Sequence, residues 1–125
     1  MTKKIINTDQ APAAIGAYSQ AVETEGMLFI SGQIPIEPES NEIVEGVKKQ
    51  TEQVLNNLKE ILNEADYSLA EVVKTEIFIS DMNNFEEINK IYAQYFKEEE
   101  PARACVEVGR LPKDVLVEIS ATAVK

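Results

Sequence analysis

From about Gly46 to Ala65, apolar side chains recur at a helical period. Val47, Val54, Leu55, Leu58, Ile61, Leu62 and Ala65 fall on one side of that helix. A stripe of this length needs a broad apolar surface to lie on. The rest of the chain offers that surface as short β-like runs. Gly26 to Ile34 reads as a strand broken at Gly32, and Ile36 to Asn41 as a turn from its Pro, Ser and Asn content. Val72 to Ser80 is strand-like, with Val73, Thr75, Ile77 and Ile79 on one face and Lys74 and Glu76 on the other.

Asp81-Met82-Asn83-Asn84 supplies capping side chains for a second helix. That helix carries Phe85, Ile88, Tyr92, Tyr95 and Phe96, runs into the acidic Glu98-Glu99-Glu100 and is stopped by Pro101. Strands at Ala102 to Val108 and Val115 to Val124 complete a β-β-α-β-α-β-β order. The reading is an α+β fold: one sheet with both helices on one face. The opposite sheet face is then left for a second subunit to bury, so a homo-oligomer is expected.

With 125 residues the chain fits one domain, residues 1–125, with one core. Met27 to Ile30 is the longest strongly apolar run, far short of a membrane span. The stretch from Met1 to Asn7 is basic but lacks the apolar segment of a signal peptide. A single cysteine forms no internal disulfide. A cytoplasmic soluble protein is expected. The net charge of −10 opposes binding of nucleic acid and of anionic membranes. It leaves room for a small anionic ligand, because one Arg can dominate a local field. The chain has no histidine, and with one Cys that removes the usual zinc sites. No tight carboxylate cluster suggests another metal.

Whatever chemistry occurs must use Arg, Glu, hydroxyls, backbone amides or the one thiol. Arg103, Cys105 and Glu107 alternate with Ala104, Val106 and Val108, so one face of their strand reads as core and the other as polar. On the last strand Glu118, Ser120 and Thr122 lie opposite Val117, Ile119, Ala121 and Ala123. Arg103 is either a clamp for a ligand carboxylate or the structural partner of Glu107 or Glu118; spacing alone tilts slightly to the ion pair. Glu118 is either a general base with a pKa raised by burial or that same partner. Cys105 suits a small wall residue better than a nucleophile, since no histidine can serve as its base. Ser31 and the Gly32 amide could donate to an anion, and Tyr18 could wall a pocket, although ordinary turn chemistry explains both segments. Asn89 either reaches the site or faces solvent. Tyr92, Tyr95 and Phe96 read as core rather than as a ligand platform.

Taken in order, several blocks resemble the reactive intermediate deaminase A (RidA, formerly YjgF) family. They are Ala11 to Ala21 (Ala-Pro-Ala-Ala-Ile-Gly-Ala-Tyr-Ser-Gln-Ala), Phe29 to Ile34, Val73-Lys74-Thr75, Asn89 to Tyr92, Pro101 to Val108, Leu111-Pro112-Lys113 and Val117-Glu118-Ile119. The resemblance covers essentially the whole chain. It implies a chorismate-mutase-like mixed sheet in which the last two strands are separated, despite the short connection between them. It also implies a homotrimer with active sites between subunits.

The activity implied is hydrolysis of reactive 2-imino acids, such as 2-iminobutanoate and 2-iminopropanoate, or their enamines, to 2-oxo acids and ammonia. Arg103 would hold the substrate carboxylate and Glu118 would activate water. Tyr18, Ser31, Gly32, Asn89 and Cys105 would contact substrate. No metal or other cofactor is implied, because an iminium carbon is already electrophilic. A regulatory protein that binds 2-oxo acids without catalysis is the alternative, and an endoribonuclease or translation inhibitor a weaker one. Three departures stand out: Ala17 where the family commonly has Pro, Ser120 where Glu is frequent, and a short segment from Lys97 to Glu100.

Overall fold

Burial alternates along the last strand and so defines the two sides of the molecule. In a computed structural model that describes residues 2–125, Val117, Ile119, Ala121 and Ala123 are buried, while the residues between them turn the other way. Met1, the first residue of the basic stretch read above, lies outside the described residues. The strands are β1 (Lys4–Ile6), β2 (Ala21–Thr24), β3 (Met27–Gln33), β4 (Ile36–Glu37), β5 (Glu42–Ile43), β6 (Val72–Ile79), β7 (Ala102–Glu107) and β8 (Val117–Val124). The helices are α1 (Val47–Glu64) and α2 (Phe85–Tyr95).

Six strands form one sheet in the order β1-β2-β3-β8-β6-β7. All neighbours are antiparallel except β6 and β7, which are parallel. β6 therefore separates the last two strands, as the family resemblance implies. The chain reaches β7 through α2, the long crossover that a parallel pair requires. One core gathers Val54, Leu55, Leu58, Ile61 and Leu62 of α1, Ile88 and Ile91 of α2, and the inward residues of the sheet. Truncating a fully buried Leu or Ile at such a position costs about 2–5 kcal/mol. Both helices lie on this face. The other face is open, with Phe29 44% and Val106 46% exposed.

Several expectations need correction. Val73 is 47% exposed rather than inward, because the β6–β8 register shifts between Val72 and Lys74 and turns Val72 into the core instead. The second helix ends at Tyr95, with Phe96 as its cap, so Glu98 to Pro101 are loop and Pro101 is not its terminator. Ile36 to Asn41 is not a plain turn: β4 and β5 form a small hairpin there, with Asn41 at φ 61°.

On β7 the sides are the reverse of the sequence reading. Cys105 packs against the core, whereas Ala104 and Val106 face the open side. The cause is that β7 is the edge strand of the sheet, paired on one side only. Charged residues on its helix side still reach solvent or find work at the helix. Glu107, for example, accepts a 2.7 Å hydrogen bond from the Met82 amide, where the chain turns toward α2.

Candidate functional site

Arg103 lies beside Thr75 in the parallel β6–β7 register, on the helix side of the sheet. Its guanidinium meets one stripe of α2. Nη1 donates to Asn89 Oδ1 at 2.7 Å, and Cζ stands 5.0 Å from the centroid of the Tyr92 ring and 5.6 Å from that of Phe85. Residues 85, 89 and 92 share a helix face by their spacing, so a single helix supplies all three contacts. An aromatic face attracts a cation without consuming its N–H donors. A hollow of about 330 Å³ opens here, lined by Asn89, Tyr92, Phe96, Pro101 and Arg103 among others.

Neither ion pair considered for Arg103 forms. Among the described residues the one ion pair joins Arg110 to Asp114 at 2.6 Å, in the connection that follows β7, and does not involve Arg103. Arg103 thus has a neutral amide and two rings for company, and the rest of its donor fork is open to a carboxylate.

Glu118 belongs to a second concavity, on the other side of the sheet. It lines a cleft of about 620 Å³ with Tyr18, Ser31, Gly32, Ile34 and Lys113 among others. Burial raises the pKa of the half-buried carboxyl above the ordinary glutamate value. The β3–β8 register shifts between Ile30 and Gln33, and this bulge falls at Ser31 and Gly32. The break read from Gly32 is thus a bulge rather than a strand end. A Cβ on Gly32 would overlap the Glu118 carboxylate, so only glycine lets that side chain lie against β3.

Ser31 is more committed than its sequence suggests. Its hydroxyl donates to Ser19 O at 2.6 Å and its amide donates to Gln20 O at 3.0 Å. Toward a ligand the hydroxyl oxygen is an acceptor, not the donor expected. Tyr18 is 53% exposed at the cleft wall. Cys105 is half-buried on the helix side, away from this cleft; burial raises its thiol pKa more than Arg103 lowers it. That environment suits a wall and not a nucleophile. The structure therefore brings Tyr18, Ser31, Gly32 and Glu118 together, and Arg103, Asn89 and Cys105 together, but not the two groups within one chain.

Buried amides that sequence reasoning passed over hold the cleft open. Gln20, 2% exposed, accepts from Thr8 N at 2.7 Å and donates to Thr8 O at 3.0 Å and Pro12 O at 2.8 Å, pinning the loop that leads to Tyr18. Asn57 of α1 donates to Ile34 O and Ile36 O, both at 3.1 Å. Gln50 accepts from Leu116 N at 2.8 Å, just ahead of β8. Gln50 and Asn57 are buried polar positions flanking the apolar stripe of α1, the one sign of them in the sequence. Lys113, in the left-handed region at φ 55°, brings a cation to the cleft. No three His, Cys, Asp or Glu side chains converge as metal ligands among the described residues. No helix among them is long and apolar enough to cross a membrane.

Comparison with known proteins places these features in company. The sequence model of the family described as endoribonuclease L-PSP matches residues 8–125. A RutC family protein of Pyrococcus horikoshii is 55% identical, over 98% of each chain. Escherichia coli TdcF, whose name proposes a reactive intermediate deaminase, is 47% identical over 98% of each. The crystal structure of that TdcF with bound serine superposes with a TM-score of 0.94 at 46% identity, covering 98% of both chains. RidA from an Antarctic Psychrobacter gives 0.95 at 43% identity, covering 98% of this chain and 99% of that one.

Proposed function

Because the chain belongs to the endoribonuclease L-PSP family, also called YjgF/RidA, we propose that it hydrolyses 2-imino acids and their enamine tautomers to 2-oxo acids and ammonia. One observation carries the reading: a guanidinium seated on aromatic rings with no acidic partner among the described residues, its donors open to a carboxylate. Arg103 binds the substrate carboxylate through two parallel N–H···O bonds. Glu118 takes a proton from water as the oxygen adds to the C=N carbon, giving a carbinolamine. With the substrate as its iminium, the same carboxyl returns that proton to the carbinolamine nitrogen; the C–N bond then breaks to release ammonia as the hydroxyl proton passes to the Glu118 carboxylate and the C=O forms. A single positioned base contributes about 10²–10⁴-fold, ample for a substrate that also hydrolyses unaided.

The two groups work together when Arg103 of one subunit meets the Glu118 cleft of another. A homotrimer closed through the open sheet face accounts for this and covers Phe29 and Val106. The bound serine in TdcF supports an amino-acid-sized ligand for that protein, and the same scale is adopted for this one. The family description names an endoribonuclease. A chain of net charge −10 without histidine favours the small anion over RNA.

The test generates 2-iminobutanoate with a threonine dehydratase in the presence of semicarbazide and follows the semicarbazone. Active protein diverts imine to 2-oxobutanoate and lowers the semicarbazone yield; Arg103→Ala abolishes the diversion. An undiminished semicarbazone yield with wild-type protein would reject hydrolysis. Binding of 2-oxobutanoate in that case would leave a non-catalytic, metabolite-binding protein.

A further inference from the structure

We propose that Tyr92, anchored by Thr75, is a positioning residue that fixes the plane of the Arg103 guanidinium. The inference rests on Arg103 being the carboxylate clamp. Thr75 is fully buried in β6, and its Oγ1 lies 2.7 Å from the Tyr92 hydroxyl. Tyr92 is 5% exposed, and its ring lies under Arg103. Thr75 and Arg103 are register partners on adjacent strands. The hydroxyl pair thus ties the helix carrying the ring to the strand beside the guanidinium.

A core alone does not call for this pair. Valine at 75 and phenylalanine at 92 would fill nearly the same space without burying two hydroxyls, each costly unless bonded. What the pair adds is direction. A ring without its hydroxyl anchor can rotate and slide; one bonded to Thr75 cannot do so without stranding a buried hydroxyl. Asn89 fixes one end of the guanidinium through Nη1, and the ring fixes its plane. A bidentate bond to a carboxylate needs both constraints, because the two N–H vectors must lie parallel to the two oxygens. Phe85, at 5.6 Å, offers a second ring, but Tyr92 is the one bonded to the sheet.

The experiment uses Thr75→Val, Thr75→Ser and Tyr92→Phe in the full-length protein, each alone and with Arg103→Lys. Thr75→Val should raise KM for the imino acid about fivefold, the scale of one lost hydrogen bond, with kcat within about twofold. Thr75→Ser, which keeps the hydroxyl, should restore KM. In the Arg103→Lys background Thr75→Val should add nothing. A second readout is independent of activity. The chain has two arginines, so Nε–Hε spectra carry two side-chain signals, and Arg103→Lys assigns them. Thr75→Val should shift and broaden the Arg103 signal, which lies near the rings, and leave Arg110 unmoved. Unchanged KM and an unchanged Arg103 signal in folded Thr75→Val would overturn the inference, whatever the change in Tm. So would a KM effect that persists in the Arg103→Lys background. Should Thr75→Val not fold, Tyr92→Phe removes the same bond while keeping the ring, and is read by the same two measures. If wild-type protein hydrolyses no imine, the functional reading fails and the arginine signal alone decides the positioning.

Discussion

Arg103 and Glu118 lie on opposite faces of one sheet. Arg103 shares the helix side with buried Thr75, while Glu118 projects between buried Val117 and Ile119 toward the open side. β6 stands between their strands. A site that uses both must therefore draw them from different subunits. Arg103→Ala and Glu118→Gln proteins should each be inactive, yet regain activity when unfolded and refolded together. With equal amounts, about a quarter of intersubunit sites receive both intact groups. Activity near that fraction is the expected result; no recovery would place both groups in one subunit's site.

On the proposed function, Glu118 makes the reaction and the stability depend on pH in opposite senses. Its carboxyl has a raised pKa in the folded protein through burial. As a base it must be ionised, so kcat/KM should rise with pH through an apparent pKa above the ordinary glutamate range and then level off. Folding shows the reverse sign. The native state binds the proton more tightly than the unfolded chain, so the contribution of Glu118 to stability is most favourable below the unfolded pKa and is lost as pH rises through the folded one. Glu118→Gln should accordingly raise Tm at pH 7 and lose that advantage near pH 4. Thermal melts at the two pH values, beside a pH–rate profile, check both senses.

If Glu118 is the base, a substitution at Gly32 separates its placement from folding. An added methyl group would meet the far end of the Glu118 side chain rather than backbone. The carboxylate can swing aside, so Gly32→Ala should cost little stability, about 1 kcal/mol or less on the scale of tolerated core changes. Activity should fall by about 10²-fold or more, since the base leaves its position. Denaturant titration and steady-state kinetics on one preparation make the comparison. Equal activity with a lowered midpoint would mean that the close approach serves packing alone.

Gln20 should act through the loop that it pins. Gln20→Leu removes one acceptor and the donors that hold Thr8 and Pro12 carbonyls, leaving buried backbone groups unpaired. A loss of about 2–4 kcal/mol follows from the penalty for stranded buried groups. KM should rise as well, because Tyr18 hangs from this loop. Chemical denaturation and substrate titration measure the two effects.

The sequence speaks clearly where one periodicity acts on one surface. The α1 stripe and the alternation of β8 appear in the structure as read, and the irregularity at Gly32 appears as a bulge inside a continuous strand. It is silent where a bulge or an edge intervenes. Val73 turns outward because a register shift uncouples it from the alternation, and no residue type marks that shift. The sides of β7 are not legible in the sequence, because alanine and valine look like core on any strand and only the edge position leaves them uncovered. At the site, residue type was enough to choose Arg103 and Glu118 as candidates. It could not tell that they face apart, nor that Ser31 had already spent its hydrogen on Ser19. The Gln20, Gln50 and Asn57 tethers were missed because an amide reads as a surface residue until its backbone partners are known.

The parallel β6–β7 pair has one more consequence. Thr75, Asn89, Tyr92 and Arg103 all lie on one strand-helix-strand segment, Val72 to Glu107. The Glu118 cleft instead gathers residues from Pro12 to Glu118, nearly the two ends of the chain. The Arg103 group thus draws on contacts closer in sequence than those of the Glu118 cleft, and closing it costs less loop entropy. The two halves are also separable in heredity and in engineering. On the proposed function, a change within the crossover would retune which acid is gripped while the distant base stays as it is.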